Sequence, residues 1–397
     1  MRLESNANIH LTYCLNVHPG AGISDVHEAV RGPARELGRR VCPGRPFGLG
    51  LRLSNEAAEA LAEPGELNRL KDLIEESGSY AFTVNAFPFA AFHGTRVKEQ
   101  VYAPDWRDDA RSRYTARVAG HLAGLLPEGV EGSISTVPGS FAEWIKDDQD
   151  IDHMALLLAR TAHALHLLRE RTGRLIHLGL EPEPCCFLET TAQFLAFYKD
   201  RVLLKAARQI AYEQGLTRPA AEALLRAHLG LCLDTCHLAI QGEDLADSTR
   251  RVLGEGVPIS KVQLSAALVC PSAASFRRRM PAFDDGVYLH QTVARGPGGA
   301  RLAYTDLPQA LADLPAGATD ARVHFHVPMY WGGDGELATT RDALTPAFRE
   351  LLLKAASPHL EIETYTFAVM PPDLTEGKDI VDHLEAEWRW VAGWLGN

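Results

Sequence analysis

The chain has 397 residues, 46% of them hydrophobic, and a net charge of −11. That is enough apolar material for a large folded core, and the acidic balance argues against a broad nucleic-acid surface, leaving only local basic spots such as Arg277-Arg278-Arg279. No run of about 18 apolar residues occurs and the first residues lack a secretory apolar segment, so neither membrane insertion nor export is expected and the expected compartment is the cytoplasm. The seven cysteines form no Cys-x-x-Cys pair, which fits reduced thiols better than a disulfide framework or a zinc knuckle.

In chain order, short apolar runs alternate with longer stretches of helical spacing. Residues 9–17 read as a strand ending at Asn16, with His18 just beyond and Ser24 capping a helix. Residues 47–53 repeat the strand signal and Ser54 opens a helical segment; residues 67–74 are helical again. A third strand spans 79–89 and runs into a long aromatic loop carrying His93, followed by Lys98 and Tyr102. Helical spacing over 108–126, a strand over 132–137 and a long helix over 152–171 follow. A fifth strand, 175–180, terminates in Glu181-Pro182-Glu183-Pro184, with Glu189 a few residues on. After two helical stretches, the glycine-bounded run at 230–234 stops abruptly in Asp234-Thr235-Cys236-His237, so polar chemistry sits where that strand ends. Residues 259–264, with Gln263, form another strand; 287–294, with His290 and Gln291, an additional one; and 321–329 carries His324 and His326. Pro346 sits in the first turn of a helix capped by Thr345. The last strand, 359–367, holds Glu361, Glu363 and Tyr365, and a closing helix covers 379–395. No linker-like or low-complexity tract divides the chain, so residues 1–397 are expected to form a single domain.

Repeated strand and helix units over this length favour an α/β fold of the (β/α)8 TIM-barrel type, typically about 250 residues and extending past about 400 with insertions. Extended loops and an extra strand before the last barrel strand would account for the surplus; a doubly wound sheet is the alternative. Asn16, Glu181 or Glu183, Asp234, Gln263, His326 and Glu363 all lie toward strand ends, which a barrel gathers on one face. Carboxylates with one or two neutral donors suit a divalent ion such as Mn, Zn, Co, Fe or Mg. His237 is placed to bind that ion or to support a ligand. Each carboxylate alone reads more simply as a helix cap or an arginine partner, but their shared position at strand ends outweighs that reading.

The Asp234-Thr235-Cys236-His237 stretch, the Glu-Pro pair before it and Ile362-Glu363-Thr364 resemble the xylose isomerase-like TIM barrels, a superfamily of sugar isomerases and epimerases, inosose dehydratases and endonuclease IV. A closer resemblance covers nearly the whole chain. Leu11-Thr12-Tyr13-Cys14 through Gly20, Phe92-His93-Gly94 through Tyr102, Glu181-Pro182-Glu183-Pro184, His324-Phe325-His326-Val327-Pro328 and Glu363-Thr364-Tyr365-Thr366 look like the EboE metabolite traffic family. The resemblance to the epimerases implies metal ligands at Glu181 or Glu183, Asp234, Gln263 and Glu363, with Gln263 standing where those relatives have histidine and His326 able to substitute. It implies catalytic roles for Glu183 or Glu189 as the proton-handling carboxylate and for His237 beside the substrate. Asn16, His18, His93, Lys98, Tyr102, His290 and His324 are the candidate substrate contacts.

These readings lead to the expectation of proton transfer next to a metal-bound carbonyl of a polyol, sugar or cyclitol. The family resemblance adds a secondary-metabolite pathway and partner proteins from it. Two rivals stand beside this reading: a non-catalytic metabolite-binding or trafficking protein, and a multinuclear phosphodiesterase like endonuclease IV, which the acidic balance and the lack of clear early-strand histidine counterparts disfavour.

Overall fold

The computed structural model describes residues 1–90, 97–284, 286–367 and 370–396. Eight parallel strands form one sheet: β1 (His10–Tyr13), β2 (Phe47–Arg52), β3 (Ser79–Asn85), β4 (Gly132–Thr136), β5 (Ile176–Leu180), β6 (Leu229–Asp234), β7 (Ile259–Leu264) and, last in the chain, β13 (His359–Ile362). Their order, β1-β13-β7-β6-β5-β4-β3-β2, brings the two ends of the sheet together. A parallel bridge between Cys14 and Gly50 and the Thr12 hydroxyl donating to Gly48 O (2.8 Å) close the ring. This is a (β/α)8 barrel.

Five further strands lie between β7 and β13: β8 (Ala266–Ser272), β9 (Thr292–Arg295), β10 (Arg301–Tyr304), β11 (Thr319–Val327) and β12 (Ala338–Thr339). They form a separate antiparallel sheet in the order β10-β9-β11-β8-β12. The extra strand expected from the sequence is therefore a whole inserted sheet. Only Ser265 separates β7 from β8, so the chain passes directly from barrel to insertion. The strand with His324 and His326 is β11, and it pairs with β8 and β9 rather than with any barrel strand. Additional strand 287–294 starts later, at Thr292, which leaves His290 and Gln291 on the segment leading into β9.

Local chemistry explains most element boundaries. The side chains of Ser54, Asp108, Asp147 and Thr345 accept backbone N–H groups at the starts of helices Asn55–Ala60, Asp109–Leu125, Asp148–Thr172 and Pro346–Leu353. Three expected strands stop short, the last of them at Ile362, so that Glu363 and Tyr365 lie beyond its end. The first ends at Tyr13 and gives way to a 3-10 turn, Leu15–Val17, that carries Asn16; the third ends at Asn85, where the side chain folds back to accept Phe87 N (3.0 Å). The helix starting at Thr191 passes through π-type geometry over Tyr198–Ala206. Among the described residues no helix is long and apolar enough to cross a membrane.

The barrel interior is charged near its centre. Residues of one parity face inward: Cys232 and Asp234 on β6, Lys261 and Gln263 on β7, and Glu361 on β13, all with no exposed surface. Lys261 Nζ lies 2.5 Å from Glu361 Oε2. Gly50 on β2 makes room for that carboxylate, since a Cβ there would sit 2.1 Å from Glu361 Oε1.

Candidate active site at the barrel mouth

The carboxyl ends of the strands deliver three buried carboxylates to one place. Glu181 follows β5, Asp234 ends β6, and Glu363 follows β13; each offers an oxygen within 4.8 Å of the other two. Asp234 also caps the helix Thr235–Gln241, where its Oδ1 accepts Cys236 N (2.7 Å) and His237 N (3.1 Å) and the Ser265 hydroxyl (3.0 Å). Glu363 Oε1 accepts from Asn16 Nδ2 (2.5 Å) and from Asn85 Nδ2 (2.9 Å). Burial first, then mutual repulsion, raises the Glu181 and Glu363 carboxyls well above the usual range, and Lys261 beneath them opposes the shift. Asp234 Oδ2 and Glu363 Oε2 are buried without a hydrogen-bond partner. Such a cluster calls for protons or a cation between its members.

Three imidazoles converge beside it. His237 comes from the helix after β6; His324 and His326, two apart on β11, share one face of the inserted sheet. Their Nε2 atoms form a triangle with sides of 3.0, 3.0 and 3.2 Å. Each ring's Nδ1 faces an oxygen that can only accept: Pro182 O at 3.1 Å for His237, Gln291 Oε1 at 2.6 Å for His324, and Glu363 O at 2.9 Å for His326. Each Nδ1 therefore carries the proton, and three Nε2 lone pairs point at one another. Burial holds all three rings neutral, with His237 lowered to about 4 and His324 well below its usual value. Three facing lone pairs repel unless a cation sits among them. An ion bonded to nitrogen at about 2.0–2.1 Å places neighbouring nitrogens roughly 2.9–3.4 Å apart, so this triangle fits a metal ion without rearrangement. Asp234, His237 and His326 also satisfy the spacing of a ligand set, so the carboxylate and histidine groups adjoin through Asp234.

Above these groups lies a cavity of about 320 Å³. Its polar side presents Asn16, Asn85, Glu181, Glu183, His237 and His324, and its walls include Phe87, Val101, Leu289 and Phe367. Glu183 is buried there. Tyr102 OH donates to its Oε1 (2.7 Å), with Gln291 Nε2 3.4 Å from the same oxygen. Burial dominates and raises the carboxyl to about 8, while these two donors pull it back down. A group balanced there exchanges protons near neutral pH.

The structure separates the other expected residues. Glu189 does not line the cavity; its Oε1 accepts Cys185 N (2.7 Å) and supports the turn after Glu183. His18 lies in a different, small cleft beside Asp25 and Arg52, with its Nε2 2.9 Å from Tyr13 OH. Lys98 lines the cavity, but its ammonium is held by Asp306 (2.6 Å) and Tyr288 O (2.8 Å). Gln263 sits behind the carboxylates with its Oε1 taking the Cys232 thiol at 2.8 Å, so its carbonyl is already engaged. His290 forms part of the wall, stacked on Phe325 with ring centres 4.1 Å apart. His93 lies outside the described residues. Three participants were not singled out as site residues from the sequence: Asn85, Gln291, and Tyr365, whose ring stacks on His326 at 4.7 Å. Ending the third strand at Asn85 rather than Phe89 would have flagged the first.

The fold and site together define a (β/α)8 barrel with a polar pocket at the carboxyl ends of its strands. No protein-family model matches the chain, and no curated protein does. Solved structures do match. A xylose isomerase-like TIM barrel protein from Mycobacterium smegmatis in complex with magnesium is similar at a TM-score of 0.51 and 12% identity, covering 98% of this chain and 96% of that one. L-ribulose 3-epimerase is similar at a TM-score of 0.48 and 13% identity, covering 98% and 94%. The IOLI protein with a binding zinc atom gives 0.48 and 12%, covering 98% of both chains. At these identities the likeness speaks to the fold alone.

Proposed function

We infer that this protein is a divalent-metal-dependent isomerase or epimerase acting on a polyol, sugar or cyclitol by moving a proton at the carbon next to a carbonyl. The observation that carries this reading is the triangle of bare imidazole nitrogens at the floor of a cavity that also holds a carboxyl balanced near neutrality. His237, His324 and His326 would hold the ion, with Asp234 alongside; nitrogen donors favour Zn, Co, Fe or Mn over Mg. When bound, the ion polarises the substrate carbonyl and so acidifies the neighbouring C–H. Glu183 takes that proton and returns it, and Tyr102 steadies the carboxylate between the two steps. The apolar wall shields the exchange from water, and Asn16 and Asn85 hold Glu363 in place. Membership of the EboE metabolite traffic family, a secondary-metabolite pathway and partner proteins from it belong to this proposal and rest on the sequence motifs.

Elemental analysis of protein purified without chelators tests it, beside His324→Ala and His326→Ala variants prepared the same way. The expected result is one ion per chain, lost in both folded variants, followed by solvent-deuterium incorporation into a sugar or cyclitol substrate. No ion after supplying Mn, Zn and Co would overturn the reading in favour of a binding or trafficking role. A second reading is favoured by one specific feature: the carboxylate trio and the histidines adjoin through Asp234, as the two halves of a binuclear hydrolytic site would. Two ions per chain with phosphodiester cleavage would select it.

A further inference from the structure

A side-chain chain of hydrogen bonds joins the histidine triangle to Glu183, and one amide stands in its middle. Gln291 Nε2 approaches Tyr102 OH (2.9 Å), Pro184 O (3.3 Å) and Glu183 Oε1 (3.4 Å), and its Oε1 approaches His324 Nδ1 (2.6 Å). The Pro184 carbonyl can only accept a hydrogen bond, so the NH2 group of Gln291 must face that side and its carbonyl must face His324. His324 then has to carry its proton on Nδ1, which leaves Nε2 bare toward His237 and His326. Of the three histidines, His237 and His326 have their tautomers set by main-chain carbonyls, whereas His324 depends on a side chain. Gln291 is fully buried, on the segment leading into β9.

We propose that Gln291 is a positioning residue for the metal centre: its amide, oriented by Pro184, Tyr102 and Glu183, holds His324 in the tautomer and rotation that present Nε2 to the ion. The inference rests on the histidine triangle being the metal site. Outer partners of ligating histidines commonly set metal affinity by about 10–100-fold, through ring orientation and basicity. Replacement by leucine removes the acceptor. Replacement by glutamate keeps an acceptor for His324 Nδ1–H while placing a second carboxylate beside Glu183, a change that a purely structural role would punish more than leucine.

The test is Co²⁺ affinity, measured by competition with a chromophoric chelator, on the full chain. Gln291→Leu is expected to bind Co²⁺ about 10–100-fold more weakly than the unmodified protein. Gln291→Glu should restore the affinity. Gln291→Met, closer in shape, replaces the leucine variant should that one fail to fold. Wild-type affinity in the leucine or methionine variant, or a glutamate variant as weak as either, would overturn the proposal. Absence of Co²⁺ binding by the unmodified protein is a different outcome: it removes the metal reading itself, and the proposal with it.

Discussion

Glu183 shows how three neighbours give one carboxyl a task. Burial raises it to about 8, while the Tyr102 hydroxyl and the Gln291 amide favour its charged form. Removing the Tyr102 donor must therefore raise it further. If the ionised carboxylate is the base, activity falls as pH drops through its pKa, so in Tyr102→Phe the acidic limb of the kcat/KM profile should move to higher pH; an unmoved limb would dismiss Glu183 as the base. At this scale, Asp234, Glu181, Glu183, Glu363 and His326 could be picked from the sequence because each sits where an apolar run ends. His18 also follows an apolar run, and Glu189 stands six residues after Glu183 as the resemblance to the epimerases implies, yet they are spent on a tyrosine and on a turn. Spacing along a chain says which residues reach the mouth of a barrel, not which way a loop turns them. Gln291 escaped because a lone glutamine carries no signal until its partners, more than a hundred residues distant on one side, are in view.

Among the elements, β11 was the hardest to place. Burial alternates through the first part of β11, as in a strand of a half-exposed antiparallel sheet, whereas the barrel strands are buried on both faces. The barrel strands themselves were legible: continuous apolar runs, bounded by caps, at the spacing of strand–helix units. What the pattern lacked was any sign that β8 turns away from the barrel one residue after β7. The arrangement has a measurable consequence. His237 belongs to the barrel, while His324 and His326 belong to the inserted sheet, so a bound ion ties the two together. Stripping the metal with a chelator should raise amide hydrogen exchange in β8, β9 and β11 and leave β3 to β5 as slow as before. Equal protection of the inserted sheet with and without metal would show that the ion does not bridge the two layers.

The whole barrel is built around a charge pair. Lys261 and Glu361 are completely buried at its centre, and burial would expel either charge without the other. Lys261→Met should cost about 3–5 kcal/mol in urea unfolding, by stranding Glu361, and adding Glu361→Gln should recover much of the loss. A double variant no more stable than the single one would assign the cost to packing instead. The pair also reaches across the ring to position 50. No side chain, however small, fits at Gly50 while a carboxylate stands at 361, because the first carbon would already overlap it. Position 50 is therefore closed twice over: a shorter residue at 361 would remove one obstacle, but the Tyr13 carbonyl oxygen, 2.9 Å from where a Cβ would sit, still reserves the place for glycine.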